Sequence, residues 1–312
     1  MTHLAALSGI MAISFSASLV RVADVSPSTA AFYRCFYALP FLLAAWLAIR
    51  ARDGRTRRER LLAVAAGLFF ALDLTFWHRA IEDIGTGMST LLGNTQILFV
   101  GVLAWLVFRE RPTRAAMVLI PVVLLGVALS SGLGRGDAFG ANPARGAIYG
   151  LFTGISYAAF LLVFRASNRS LAPSAGPLLD ATAGSVAGIL VLAPFDARFA
   201  FDVPLASHLW LLALAVGVQV VGWLLISVAL PRLPSLETSV MLLLQPMTAL
   251  LWGFLFFTEQ PSAVQWMGNA LILAGVGLLS WRGSVEGARE KKPMDVAEPQ
   301  AREIALPGPP AG

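Results

Sequence analysis

Residues 256–262 read FFTEQPS, and a shorter echo, FRERPT, stands at 108–113. Phenylalanine, glutamate and proline return at the same spacing, while the arginines of the first copy are missing from the second. Laying 80–131 over 229–280 at a constant offset of 149 residues needs no gap. It pairs Gln96 with Gln245, Glu110 with Glu259, Pro112 with Pro261, Gly126 with Gly275 and Ser131 with Ser280. Leucine matches in apolar segments carry no weight, but polar and proline matches at one offset mark an internal repeat. A looser correspondence, ISFSASLV at 13–20 against ISYAAFLLV at 155–163, extends the repeat to the first apolar run.

What repeats is apolar. The chain has 312 residues, 57% of them hydrophobic and 13% charged, with a mean hydropathy of +0.73. That composition lies outside the range of soluble domains. Ten runs are expected to cross a bilayer as helices: 4–22, 29–49, 61–80, 87–108, 114–132, 145–165, 176–194, 207–229, 236–257 and 263–282. Each is near the ~20 residues that span a ~30 Å hydrocarbon core. The expected fold class is an all-α integral membrane protein of ten transmembrane helices in two inverted five-helix repeats, 4–132 and 145–282. A disordered cytoplasmic tail, rich in Pro, Gly, Glu and Arg, is expected over 283–312. A cleaved signal peptide is the other reading of the first run, since SFSAS offers small residues near its end. No Lys or Arg precedes that run, however, and the repeat needs it in place. The single cysteine, Cys35, excludes a disulfide framework and an all-cysteine metal site.

Lys and Arg mark the cytoplasmic side of membrane proteins. With the N-terminus inside, 17 of them fall in cytoplasmic segments, six in RARDGRTRRER at 50–60, against five outside and Arg34 within the second run. This predicts a multi-pass protein of the inner (plasma) membrane with both termini cytoplasmic. Basic residues distributed by the membrane, rather than over one surface, argue against nucleic acid as a partner. Five crossings per half invert the second half relative to the first. Glu110 then lies inside among Arg109, Arg111 and Arg114, and Glu259 lies outside, where those positions hold Thr258, Gln260 and Ala263. The turn is kept while its topology signal is removed. Inverted repeats suit carriers whose halves rock between two states of similar energy.

The stretch FFTEQPSAVQWMGNALILAGVGLLSW, with Glu259, Gln265, Gly268 and Gly275 in order, resembles the EamA-type carriers of the drug/metabolite transporter superfamily. AAFYRCFYA at 30–38, which carries Arg34, is similar to them as well. The first repeat departs at Ala116 and Leu119, where the family often has Gln and Gly, while Glu110 and Gly126 fit. The resemblance spans about residues 4–282. It implies secondary transport, usually export of amino acids, related metabolites or toxic compounds. It also implies a central cavity lined by helices one to four and six to nine, and no particular substrate. No Walker motif occurs, so ATP coupling within this chain is excluded, and no cofactor is expected.

Polar residues inside apolar runs are the candidates for a substrate and ion pathway. Asp73 lies 12 residues past Leu61, ~18 Å into the bilayer. It reads either as a proton carrier or cation-binding group, or as an aspartate hydrogen-bonded to a neighbouring helix. Arg34, about one turn inside helix two, snorkels, holds an anionic substrate group or pairs with Asp73 or Glu82, the ion pair being favoured. Trp77 shares the helix face of Asp73 and reads as a stacking platform or an interfacial anchor. His78 is a gating candidate or part of a polar helix end with Arg79, Glu82 and Asp83. Asn94 and Gln96 in GNTQ, with Tyr157, Gln219 and Gln245, line a cavity or glue helices together. Pro246 frees the carbonyl of Leu242. Gly146, Gly150 and Gly154, and Gly184 with Gly188, permit close helix contact.

An intramembrane enzyme is disfavoured, because His3, His78 and His208 are far apart, no H-E-x-x-H occurs and Asp73 has no acid partner in its helix. A channel or non-transporting receptor is the alternative, and neither requires an inverted repeat. The expected function is a secondary active exporter of small metabolites working by alternating access. Its partners are a small-molecule substrate, the lipid bilayer and, as a candidate coupling ion, the proton.

Overall fold

The computed structural model describes residues 2–108, 114–131, 136–168, 173–229 and 235–290, and each of the ten apolar runs falls on helix. In chain order these are α1 (Thr2–Ala23), α2 (Pro27–Ile49), α3 (Arg57–Gly93), α4 (Gln96–Phe108) and α5 (Arg114–Ser130). The second half supplies α6 (Pro143–Ala166), α7 (Ala175–Leu192), α8 (Leu205–Val228), α9 (Ser235–Phe257) and α10 (Ala263–Glu290). Seven of the described helices are long and apolar enough by themselves to cross a bilayer. Glu110 and Pro112 of the first turn lie outside the described residues, as does the stretch 291–312. α10 runs past residue 282 to Glu290. Its last turns hold helix-forming Ala, Arg and Glu and meet no proline before Pro293.

Local chemistry sets the ends. Ser26 caps α2, its Oγ accepting from Thr29 N at 3.3 Å, with Pro27 in the first turn. Thr56 and Glu59 form a reciprocal capping box at the start of α3. The far end of α3 departs from expectation. Helical hydrogen bonding continues past residue 80 to a kink at Gly85, whose φ of 82° and ψ of 177° favour a residue without a Cβ. Residues 86–93 beyond the kink begin the fourth crossing, which is broken again at Asn94–Thr95 before α4. There Asn94 Nδ2 donates to Thr90 O at 2.9 Å and Thr95 Oγ1 to Leu92 O at 2.6 Å. Side chains that bond their own backbone weaken the helical ladder at that point.

α3 is the central element, packed against α6 and α7; α10 packs on α5, α2 on α7 and α8, and α1 on α8 and α9. A Cβ on Gly67 would overlap the backbone of α7, and one on Gly184 would overlap that of α3. The α6 stripe of Gly146, Gly150 and Gly154 lies against Ile84, Leu92 and Thr95. That narrow face accommodates the irregular passage from α3 to α4. Large apolar side chains such as Leu61, Val191 and Phe256 are exposed, while Arg34, Asp73 and His78 are buried. A surface of this kind is matched to hydrocarbon rather than to water.

The two halves run in opposite directions. Thr86 and Gly87, at the start of the fourth crossing, touch Glu259 in the turn after α9. From there the chain leads away for roughly 30 Å at 1.5 Å per residue to Phe108. Phe108 and its sequence mate Phe257 therefore sit at opposite ends of the bundle.

Candidate functional site

Both halves converge on one cavity of about 130 Å³. α2 contributes Arg34 and α3 contributes Asp73 and Trp77. The break in the fourth crossing contributes Asn94 and Gln96, α6 Tyr157 and α9 Gln245. Gln96 and Gln245, paired by the repeat, thus face the same space.

Arg34 is 4% exposed. Its Nε donates to Gln219 Oε1 at 3.0 Å and its Nη1 to Ser16 Oγ at 3.0 Å. The guanidinium carbon stands 5.8 Å from the ring centroids of both Phe70 and Trp77, within the range of cation–π attraction. The favoured sequence reading, an ion pair of Arg34 with Asp73 or Glu82, is not what the fold makes. Neutral acceptors from α1 and α8 reach the guanidinium instead, and Glu82 pairs with Arg198 at 2.9 Å, far from the cavity. Asp73 is 7% exposed and lines the cavity with no hydrogen bond or ion pair among the described residues. The helix-packing reading of Asp73 therefore has no bond to support it.

Trp77 and Tyr157 form apolar wall beside these charges, Tyr157 stacking on Phe160 at 5.7 Å and meeting Trp223 edge-on at 6.4 Å. The Oε1 of Gln96 is buried without a hydrogen-bond partner. The unpaired groups at the cavity thus include an acid, most of a guanidinium, the Gln96 amide oxygen, the Thr153 hydroxyl and the Trp223 indole N–H.

Three predicted site residues lie elsewhere. Gln219 does not line the cavity; it is 1% exposed behind Arg34, with its Nε2 directed at Thr182 Oγ1, 3.4 Å away. It sits in a π-helical segment, Leu214–Gly222, a rare winding that recurs at functional sites. Pro246 is buried within α9 off the cavity, although Leu242, whose carbonyl it frees, does line it. His78 is 1% exposed, with Nδ1 bonded to Pro27 O at 3.0 Å. It borders a second cavity of about 400 Å³ shared with Arg21, Asp24, Glu82 and Asp83. The two cavities are stacked along α3, with Trp77 on one and His78 on the other. At the second, Arg145 closes on Asp83 through two hydrogen bonds of 2.6 and 2.9 Å.

Sequence reasoning missed Ser16, Phe70 and Trp223. Ser16 falls within the quoted ISFSASLV repeat, but it is one of several small polar residues there. The two aromatics sit in apolar runs where ring and packing roles look alike. Among the described residues no group of three or more His, Cys, Asp or Glu is placed to hold a metal ion.

The sequence profile of the EamA-like transporter family matches residues 2–132 and, a second time, 144–281. A Bacillus subtilis (strain 168) protein described as "Uncharacterized transporter YxxF" is 24% identical over 251 residues, 79% of each chain. An Archaeoglobus fulgidus protein described as an uncharacterized transporter is 28% identical over 251 residues, 80% of this chain and 85% of its own. A solved crystal structure, 16% identical, superposes with a TM-score of 0.57 over 93% of this chain and 98% of the other, a likeness of fold.

Proposed function

Because the chain belongs to the EamA-like transporter family, it is a multi-pass membrane transporter of small molecules rather than an enzyme, and we propose that it exports small zwitterionic metabolites, amino acids or close relatives, by alternating access. One observation carries this reading. Arg34 and Asp73 face a single cavity built by both halves, and neither charge is cancelled by a bonded partner of opposite sign. Buried charges of that kind are costly unless something pairs them. A ligand with a carboxylate and an ammonium supplies both partners at once. Trp77, Tyr157 and Trp223 offer it an apolar wall.

In this reading the protein lies in the inner membrane with both termini cytoplasmic, as the arginine distribution indicates. Asp73 carries the coupling proton when no ammonium occupies its place. Opposed halves meeting at Gln96 and Gln245 supply the rocking axis.

The test is counterflow in proteoliposomes with radiolabelled zwitterions, amines and organic acids. Saturable, trans-stimulated flux of zwitterions is expected. Flux that rises linearly with concentration, or a single-channel conductance, would show a pore and end the carrier reading. Efflux from loaded cells exceeding uptake is the expected mark of export.

A further inference from the structure

We propose that Gln219 is a positioning residue that sets the charge selectivity of the central cavity by holding Arg34 in place without neutralising it. This rests on the zwitterion reading above. The four groups that bond or flank the Arg34 guanidinium are formally neutral: Gln219 Oε1, Ser16 Oγ and the rings of Phe70 and Trp77, while Asp73 acts on it only through space, with no bond between them. Two of the five N–H donors of an arginine are used by Gln219 and Ser16. The others have no hydrogen bond among the described residues, and the side chain lines the cavity. The cation is anchored but keeps its charge for a ligand.

The anchor is built from behind. Arg34 Nε–H only donates, so the amide of Gln219 must present its oxygen there, and its Nε2 then faces Thr182 Oγ1. The π-helical winding of Leu214–Gly222 buries Gln219 between Val218 and Val220 while Val221 faces outward. Gln219 touches no ligand; it acts through Arg34.

A glutamate at the same position has nearly the same shape. Its second oxygen would accept from the Thr182 hydroxyl, which both donates and accepts, so no polar group would be stranded. The electrostatic outcome differs completely. Arg34 would be discharged by a carboxylate inside the protein, and Asp73 would be left as the charge that a ligand meets. A zwitterion's carboxylate would then be repelled, and an amine lacking it would be preferred.

The experiment measures competition binding to the purified full chain in nanodiscs, using three pairs of an amino acid and its decarboxylated amine: alanine and ethylamine, leucine and isoamylamine, phenylalanine and phenethylamine. Wild type is expected to favour the zwitterion in at least one pair. Gln219→Glu is expected to weaken that zwitterion about tenfold, the worth of one charge-assisted hydrogen bond, and to reverse the preference towards the amine. Folded Gln219→Glu protein that keeps the wild-type preference would overturn the role of Gln219 while leaving the zwitterion reading intact. A wild type that favours the zwitterion in none of the pairs would overturn that reading and this inference with it. If Gln219→Glu does not fold, Gln219→Met decides. It removes the acceptor but adds no charge, so weaker zwitterion binding with the preference retained supports the role, and unchanged affinity refutes it.

Discussion

Glu259 accepts a hydrogen bond from Arg21 at 2.6 Å, and the same carboxylate accepts from the backbone N–H groups of Thr86 and Gly87 at 2.6 and 3.1 Å. A residue of the second half therefore caps the first turn of a helix in the first half, where a negative charge is favoured by the helix dipole. Gly85 and Gly253 make room for it, since a Cβ at either would collide with the carboxylate. Glu259 is 3% exposed, and the Thr86 hydroxyl donates a further bond to the carboxylate at 3.0 Å.

Removing that charge should cost stability. Gln in place of Glu259 keeps one oxygen for Arg21 and Thr86 but turns an N–H towards the N–H of Gly87 and removes the counter-charge of Arg21. Glu259→Gln is expected to lose about 1–2 kcal/mol, because the carboxylate is buried but Arg21 is 39% exposed and partly screened by solvent, read as a fall in the thermal midpoint of detergent-solubilised protein. Gly253→Ala should produce a similar fall by steric means. An unchanged midpoint in both would mean that the cap contributes nothing.

At the opposite end of the bundle, Asp53 accepts from Arg55 Nε at 2.9 Å, Arg55 Nη2 at 3.0 Å and Trp46 Nε1 at 2.7 Å. The Arg55 hydrogen bonds, aided by Trp46 and opposed by burial, hold its carboxyl well below the usual carboxylate range. A depressed carboxylate pKa contributes stability above the unfolded value near 4, and that contribution is lost as pH falls through the folded value. Asp53→Asn should therefore lower the thermal midpoint at pH 7, and the gap from wild type should narrow only below about pH 4. A gap of the same size at every pH would point to packing instead of charge.

Single cysteines at Gly54 and Ala141, both exposed, report orientation in a Cys35→Ser background. An impermeant maleimide added to intact cells should label position 141 and spare position 54. The reverse pattern would invert the proposed topology.

Asp73→Asn keeps shape and hydrogen-bonding capacity while removing the titratable group. Transport is expected to fall at least tenfold and to lose its dependence on a pH gradient, with expression and monodispersity at wild-type levels. Wild-type transport that still follows the gradient in the mutant would exclude a coupling role.

Gln96→Trp or Gln245→Trp should each block flux in both directions, because each side chain faces the one shared cavity. If only one substitution blocks, the two halves do not contribute equally to the path.

Much of this protein is legible in sequence because a bilayer imposes simple rules. Runs of about 20 apolar residues must be helical, and the described residues of each expected run lie on helix, the fourth run being broken at Asn94–Thr95. The repeat with offset 149 announces two related halves, and the double match to one family profile agrees with it. Buried polar residues are too costly in hydrocarbon to be accidental, so Arg34, Asp73, Asn94, Gln96 and Gln245 could be picked as candidates without coordinates. All of them line the cavity.

What sequence could not supply was which polar group meets which. Apolar periodicity carries no signal for a π-helical segment or for a helix that turns at Gly85 and breaks at Asn94. Those irregularities bring Gln219 behind Arg34 and the fourth crossing beneath Glu259. Partners such as Arg21 and Glu259, 238 residues apart, are joined only when α1, α3 and α9 close on one another. The bilayer acts on each segment separately and so writes the number and direction of crossings into local composition. Pairing among buried charges depends on the relative rotation and depth of packed helices, which tertiary contact alone decides.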